Sequence, residues 1–107
     1  MLQIPETIDK EKIINTLTLK IFNVSTKPRN YRILQMLPSD VNAIMKEIKI
    51  NKINTNARIN QMEKIGLVTR KRGSGEVYGT KISENVIKLL ELIKKDIGIS
   101  LNKLLEA

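Results

Sequence analysis

The sequence contains no cysteine, no histidine and no tryptophan. Disulfides are excluded, and with them thiolate and imidazole metal sites. Catalysis by a cysteine nucleophile or a histidine base is excluded as well. Aromatic residues are scarce: one Phe and two Tyr in 107 residues. Proteins that stack single-stranded bases present several aromatics at strand spacing, and here only Phe22, Tyr31 and Tyr78 exist. No apolar run approaches the ~18 residues of a membrane span. The start, Met1-Leu2-Gln3-Ile4-Pro5-Glu6, lacks the charged opening and apolar stretch of a secretory signal. A cytoplasmic location is therefore expected. Negative charge is also in short supply. Asp and Glu number 11 against 19 Lys and Arg, a formal net charge of +8. Such a surface attracts polyanions, either nucleic acid or an acidic membrane face.

What is present is aliphatic. Hydrophobic residues make up 41% of the chain, so one core built from Ile, Leu, Val and Met is expected within a single domain over residues 1–107. Ile14, Leu17, Ile21 and Val24 recur at helical spacing and predict a first helix over 6–24. Pro28 suits the first turn of a second helix over 28–37, with Ile33, Leu34 and Leu37 inward. Pro38-Ser39-Asp40 breaks the run, and Ser39 is expected to cap a third helix over 40–48. Asn51 or Asn54 caps a fourth helix ending at Ile65, where Gly66 supplies the left-handed stop. The period then changes. Leu67-Val68-Thr69 and Val77–Ile82 flank a glycine-bearing turn and predict a β-hairpin over 68–82. Ser83 is expected to cap a last helix over 84–107, interrupted at Gly98. The expected class is mainly α with a small β-hairpin (α+β). Two helices joined by a short turn and followed at once by a hairpin form a winged helix-turn-helix, here over 28–83 with extra N- and C-terminal helices.

The fourth helix divides into two faces at about 100° per residue. Ile59, Met62 and Ile65 lie on one side, and Asn56, Ala57, Asn60, Gln61 and Lys64 on the other. Asn and Gln bond adenine edges bidentately, and Lys reaches guanine or a phosphate. Asn is a poor helix former, so an Asn-rich exposed face favours base reading over a merely solvated surface. Arg58 falls nearer the inward side and is expected to flank the groove. The hairpin adds Arg70-Lys71-Arg72 beside Gly73-Ser74-Gly75, a flexible basic tip suited to phosphate or minor-groove contact. From residue 49 to residue 72 the cations are Lys49, Lys52, Arg58, Lys64, Arg70, Lys71 and Arg72, opposed only by Glu63. Most of the net charge thus sits on the motif that needs it. Candidate DNA-contacting residues are Lys52, Asn54, Thr55, Asn56, Arg58, Asn60, Gln61, Lys64, Arg70, Lys71, Arg72, Ser74 and Lys81. Gly73-Ser74-Gly75 is not a nucleotide loop, because strands flank it on both sides.

Three segments resemble the ArsR-like winged-helix repressors. Tyr31-Arg32-Ile33-Leu34-Gln35-Met36-Leu37 is similar to an early helix of that family. Thr55 to Val68, closing on Gly66-Leu67-Val68, is similar to its recognition helix. Val77 to Ser83 resembles the exit of its wing. The resemblance covers about residues 28–83, and MarR-like and PadR-like regulators share much of it. It implies a DNA-binding transcriptional regulator, a repressor in particular, acting at the nucleoid. The metal ligands of metal-sensing ArsR members are absent, so no metal site and no cofactor is implied.

The outer helices carry apolar stripes that so small a motif does not cover. Ile14, Leu17, Ile21, Leu89, Leu90, Ile93 and Ile97 are the candidate interface of a homodimer. A two-fold dimer sets two recognition helices about one helical turn apart on DNA. Two other roles suit the same sequence: a sequence-tolerant architectural or chromatin protein, and a winged-helix protein-interaction module. No catalytic residue is assigned, since no base stands near a nucleophile and no carboxylates pair at a working spacing. An enzyme is not expected, nor is membrane association.

Overall fold

Asp9 opens the described part of the chain, residues 9–106 of a computed structural model. Its carboxylate accepts hydrogen bonds from the backbone N–H groups of Glu11 (3.0 Å) and Lys12 (3.2 Å). Those donors have no partner within the helix, so Asp9 sets the start of α1 at Lys10–Ser25. The expected turn before it, from Glu6, lies outside the described residues. α2 spans Pro28–Met36, with Pro28 in its first turn as expected. A two-residue strand, β1 (Ser39–Asp40), leads into α3 (Val41–Ile48) and then α4 (Lys52–Lys64). β2 (Val68–Arg70) and β3 (Glu76–Gly79) form the hairpin, and α5 (Lys81–Glu106) closes the chain.

The sheet has three antiparallel strands in the order β1-β3-β2. Val68 lies opposite Gly79 and Arg70 opposite Val77. On the other edge of β3, Ser39 lies opposite Val77 and Asp40 opposite Glu76. The third strand changes the role expected of Ser39. Ser39 belongs to the ladder, and Asp40 caps α3 by accepting from the Ala43 N–H at 2.8 Å. Asn51 caps α4 through the Asn54 N–H at 2.8 Å, so Asn54 lies inside the helix. Gly66 follows α4 with φ +85°, the left-handed stop expected there.

The hairpin is shorter than the sequence pattern indicates. Its second strand ends at Gly79, and Ile82 already belongs to α5. The cap moves with it from Ser83 to Thr80. The Thr80 Oγ1 accepts from the Ser83 N–H (3.3 Å), and the Ser83 Oγ accepts from the Thr80 N–H (2.8 Å). This is a reciprocal capping box with serine in the third position. A side chain at Gly79 would put its Cβ 3.0 Å from the Ser83 Oγ, so any other residue there requires that hydroxyl to shift by a few tenths of an ångström. The Thr80 hydroxyl also donates to the Gly66 carbonyl at 2.6 Å, joining the exit of the wing to the exit of α4. Gly98 does not interrupt α5, which runs unbroken past it.

The core is aliphatic. Ile33, Ile44, Ile59, Met62, Leu67 and Val77 are fully buried, drawn from α2, α3, α4 and the hairpin. The outer helices contribute only their ends. In α1 Val24 and Ser25 are buried, and in α5 Ser83 and Val86. The whole of α5 is ~39 Å long at 1.5 Å per residue, and most of it reaches away from the core. The radius of gyration, 17.3 Å, exceeds the ~13 Å of a compact chain this long. Ile14, Leu17, Leu89, Ile93 and Ile97 are exposed along these helices, while Ile21 and Leu90 are half-buried. No helix among the described residues is long and apolar enough to cross a membrane.

Candidate nucleic-acid interface

The outward face of α4 is rich in amides, Asn54, Asn60 and Gln61, and it also exposes Ile53. Thr55, Ile59 and Met62 recur at i, i+4 and i+7 and are buried. Asn54, Ala57, Asn60, Gln61 and Lys64 are exposed, as is Lys52 in the first turn. This division agrees with the sequence pattern for the apolar residues and adds Thr55 to the inward side. Thr55 is wholly buried, and its hydroxyl donates to the Asn51 carbonyl at 2.8 Å. It has no surface to offer a groove, which corrects its place among the expected contact residues.

Two arginines hold α4 from opposite sides. Arg58 donates from Nη1 to the Asn30 Oδ1 at 3.0 Å. Asn30 is itself fully buried in α2, and its Nδ2 donates to the Val24 carbonyl at 2.9 Å. A buried amide satisfied at both ends makes a rigid link, since leaving either group unpaired costs about 1–3 kcal/mol. It connects the end of α1 to the middle of α4. On the wing side, Arg70 donates from Nη1 to the Asn56 Oδ1 (2.9 Å) and from Nη2 to the Asn56 carbonyl (3.2 Å). The Asn56 Nδ2 donates to the Lys52 carbonyl at 3.0 Å. Both ends of the Asn56 amide are thus engaged within the protein. Arg58, Arg70 and Asn56 brace the helix in addition to lining its flanks.

The wing tip turns on two left-handed glycines, Gly73 (φ +79°) and Gly75 (φ +69°). L-residues with a Cβ rarely adopt this conformation, so the tip depends on both. The Ser74 Oγ donates to the Lys71 carbonyl (3.2 Å) and accepts from the Glu76 N–H (3.3 Å). The Val41 N–H donates to the Gly75 carbonyl at 3.1 Å, anchoring the tip to the start of α3. Lys71, Arg72 and Ser74 are exposed there, and Lys81 is exposed at the start of α5. Beside them the Tyr78 hydroxyl donates to the Glu76 carboxylate. That hydrogen bond, with partial burial and the carboxylate charge, raises the Tyr78 pKa above the usual phenol value.

Two polar clefts flank α4. One, about 420 Å³, lies between α4 and the wing and is lined by Asp40, Asn42, Lys52, Asn56, Arg70 and Ser74. The other, about 380 Å³, lies between α4 and the start of α2, with Lys27, Arg29, Asn54, Arg58 and Gln61 on its walls. Lys27 and Arg29 stand outside the basic cluster at residues 49–72 and were not among the expected contacts. A pair of cations around the first-turn proline of α2 was the available sequence signal.

No family model matches the sequence, and no curated protein is similar to it in sequence. Solved structures are similar in shape. One is the homodimeric winged helix-turn-helix DNA-binding domain of a possible ArsR-family transcriptional regulator from Mycobacterium bovis. It has a TM-score of 0.70 and 19% identity, over 94% of this chain and 95% of that one. HlyU from Vibrio cholerae has a TM-score of 0.63 and 17% identity, over 80% of this chain and 97% of that one. A MarR protein from Peptoclostridium difficile has a TM-score of 0.55 and 18% identity, over 95% of this chain and 80% of that one. Likeness at such identities speaks to architecture, and the chain accordingly has the α+β winged helix-turn-helix fold.

Proposed function

We propose that this chain binds double-stranded DNA and regulates transcription, as a repressor that occludes promoter DNA. The observation that carries this role is the exposed amide face of α4, with Asn54, Asn60, Gln61 and Lys64 beside a basic wing tip. An α-helix fits the major groove, and these side chains match the donor and acceptor pattern of its base edges. Lys71, Arg72 and Ser74 take the adjacent backbone or minor groove, and Lys52 and Lys81 take phosphates. Thr55 has no part in the contact, Asn56 and Arg70 act chiefly by fixing α4, and Arg58 is tethered to Asn30 with donors to spare.

The working form is a homodimer joined through α1 and α5. Exposed Ile14, Leu17, Leu89, Ile93 and Ile97 support this, as does the homodimeric state of the Mycobacterium bovis domain of the same fold. The protein acts at the nucleoid in the cytoplasm, without a metal, cofactor, catalytic step or membrane.

A titration with duplex DNA at several salt concentrations tests this role. Binding at low salt with a steep salt dependence is expected. Failure to bind any duplex at low salt overturns it. One observation favours a second role, that of a sequence-tolerant architectural protein: Asn56, Arg58 and Arg70 spend donors and acceptors within the protein, leaving fewer groups for base edges. Binding undiminished for unrelated sequence, measured against competitor DNA, identifies that role.

A further inference from the structure

From the cleft between the start of α2 and α4, we infer that Lys27 and Arg29, with Arg58, hold a backbone phosphate of the DNA duplex, on the side of α4 away from the wing. The inference rests on α4 entering the major groove. A helix with its side chains is about 10–12 Å across, and the major groove is about 12 Å wide. A helix lodged there has one phosphate backbone along each flank. The protein has a polar cleft with basic side chains along each flank of α4. The wing-side cleft carries Lys52 and Arg70, with Asp40 as its one carboxylate. The α2-side cleft carries three cations, Lys27, Arg29 and Arg58, with the amides of Asn54 and Gln61 and no carboxylate on its walls.

Each cation has a separate footing. Lys27 is exposed and immediately precedes Pro28. Arg29 donates from Nε to the Ile48 carbonyl at 3.2 Å, which tethers the guanidinium to the end of α3. Arg58 is tethered through Nη1 to Asn30. A guanidinium has five N–H donors, so both arginines keep donors for a phosphate oxygen after these tethers. Two arginines already oriented by the protein lose less side-chain freedom on binding an anion. The start of α2 thereby joins the interface, and the DNA footprint extends from the wing tip across α4 to Lys27.

The test compares the salt dependence of duplex binding in the full chain and its variants. The slope of log K against log salt is about −0.9 per neutralised phosphate. Lys27→Gln with Arg29→Gln is expected to flatten the slope by up to about 0.9, the share of the one phosphate they hold, and to weaken binding to specific and unrelated duplex by similar factors. The charge-preserving pair Lys27→Arg with Arg29→Lys is expected to keep the wild-type slope. Lys27→Gln alone, at an exposed site, is expected to flatten the slope by part of that amount and covers the case in which the double variant does not fold. An unchanged slope in the folded glutamine variants overturns the inference, as does an equal loss in the charge-preserving pair. A wild-type chain that binds no duplex overturns the DNA-binding role itself, so the two failures are distinct.

Discussion

At the scale of single residues, the protein divides its polar side chains between holding α4 and presenting it. Asn30, Asn56, Arg58 and Arg70 hold it through bonds of 2.9–3.2 Å, and Asn60, Gln61 and Lys64 are left facing outward. Replacing Asn60 and Gln61 with Ala is expected to leave folding intact and to relax discrimination between duplexes. The loss is about 1–3 kcal/mol per bidentate base contact, measured as the ratio of affinities for a selected site and a scrambled one. An unchanged ratio would remove both residues from the base-reading face. The inward and outward sides of α4 were legible in the sequence, because Ile59, Met62 and Ile65 mark the buried stripe by spacing alone. The bracing was not. Arg58 finds Asn30 across 28 positions, and Arg70 finds Asn56 across 14, and no local pattern encodes such pairs. Thr55 misled for a related reason. Its hydroxyl is satisfied by the backbone one turn earlier, which lets a nominally polar residue sit in the core.

Among the elements, the docking of α5 on α2 is the most exposed to solution conditions. The Tyr31 hydroxyl donates to the Glu91 Oε1 at 3.0 Å, and the Lys94 Nζ lies 3.4 Å from the same oxygen. The Lys94 ammonium is also 5.5 Å from the centre of the Tyr31 ring. The tyrosine hydrogen bond, followed by the lysine charge, lowers the Glu91 pKa below the usual glutamate value. Lys94 is shifted upward in turn, first by its hydrogen bond to Glu91. A lowered carboxyl pKa contributes stability that is present above the unfolded-state value and is lost as pH falls through the folded-state value. Wild type is therefore expected to lose more thermal stability than Tyr31→Phe between neutral pH and pH 3, with the difference small because the groups are exposed. Equal losses in both proteins would remove the Tyr31–Glu91 bond from the docking. The order of helices and the hairpin were legible from periodicity and from glycine and proline. β1 was not, since two residues cannot display an alternating pattern and Ser39–Asp40 are strand only through their pairing with β3. The start of α5 was misplaced because Thr80-Lys81-Ile82 has the composition of a strand, and the Thr80–Ser83 box turns it into a helix start.

The whole molecule is a small core with two long helices extending from it, 64 × 40 × 20 Å in extent. Their exposed Ile and Leu residues are what a second copy would cover. Ile93→Asp, on the outward side of α5, is expected to turn a dimer into a monomer in sedimentation experiments. It is also expected to lower affinity for a two-half-site duplex more than for a single half-site. A wild-type monomer at every concentration would leave α1 and α5 without their assigned partner. Gly98 sits about two-thirds of the way along the same helix, and apart from that helix's own adjacent backbone no atom among the described residues lies within 4 Å of where a Cβ would be. In an isolated helix, alanine at that position stabilises by about 0.8–1 kcal/mol over glycine. Where another backbone packs closely against it, the added methyl group meets that backbone and the effect reverses. Gly98→Ala is thus expected to raise the melting temperature of the free chain and to lower that of a dimer packed at this point, so the sign of one methyl group's effect measures how closely a neighbouring helix approaches.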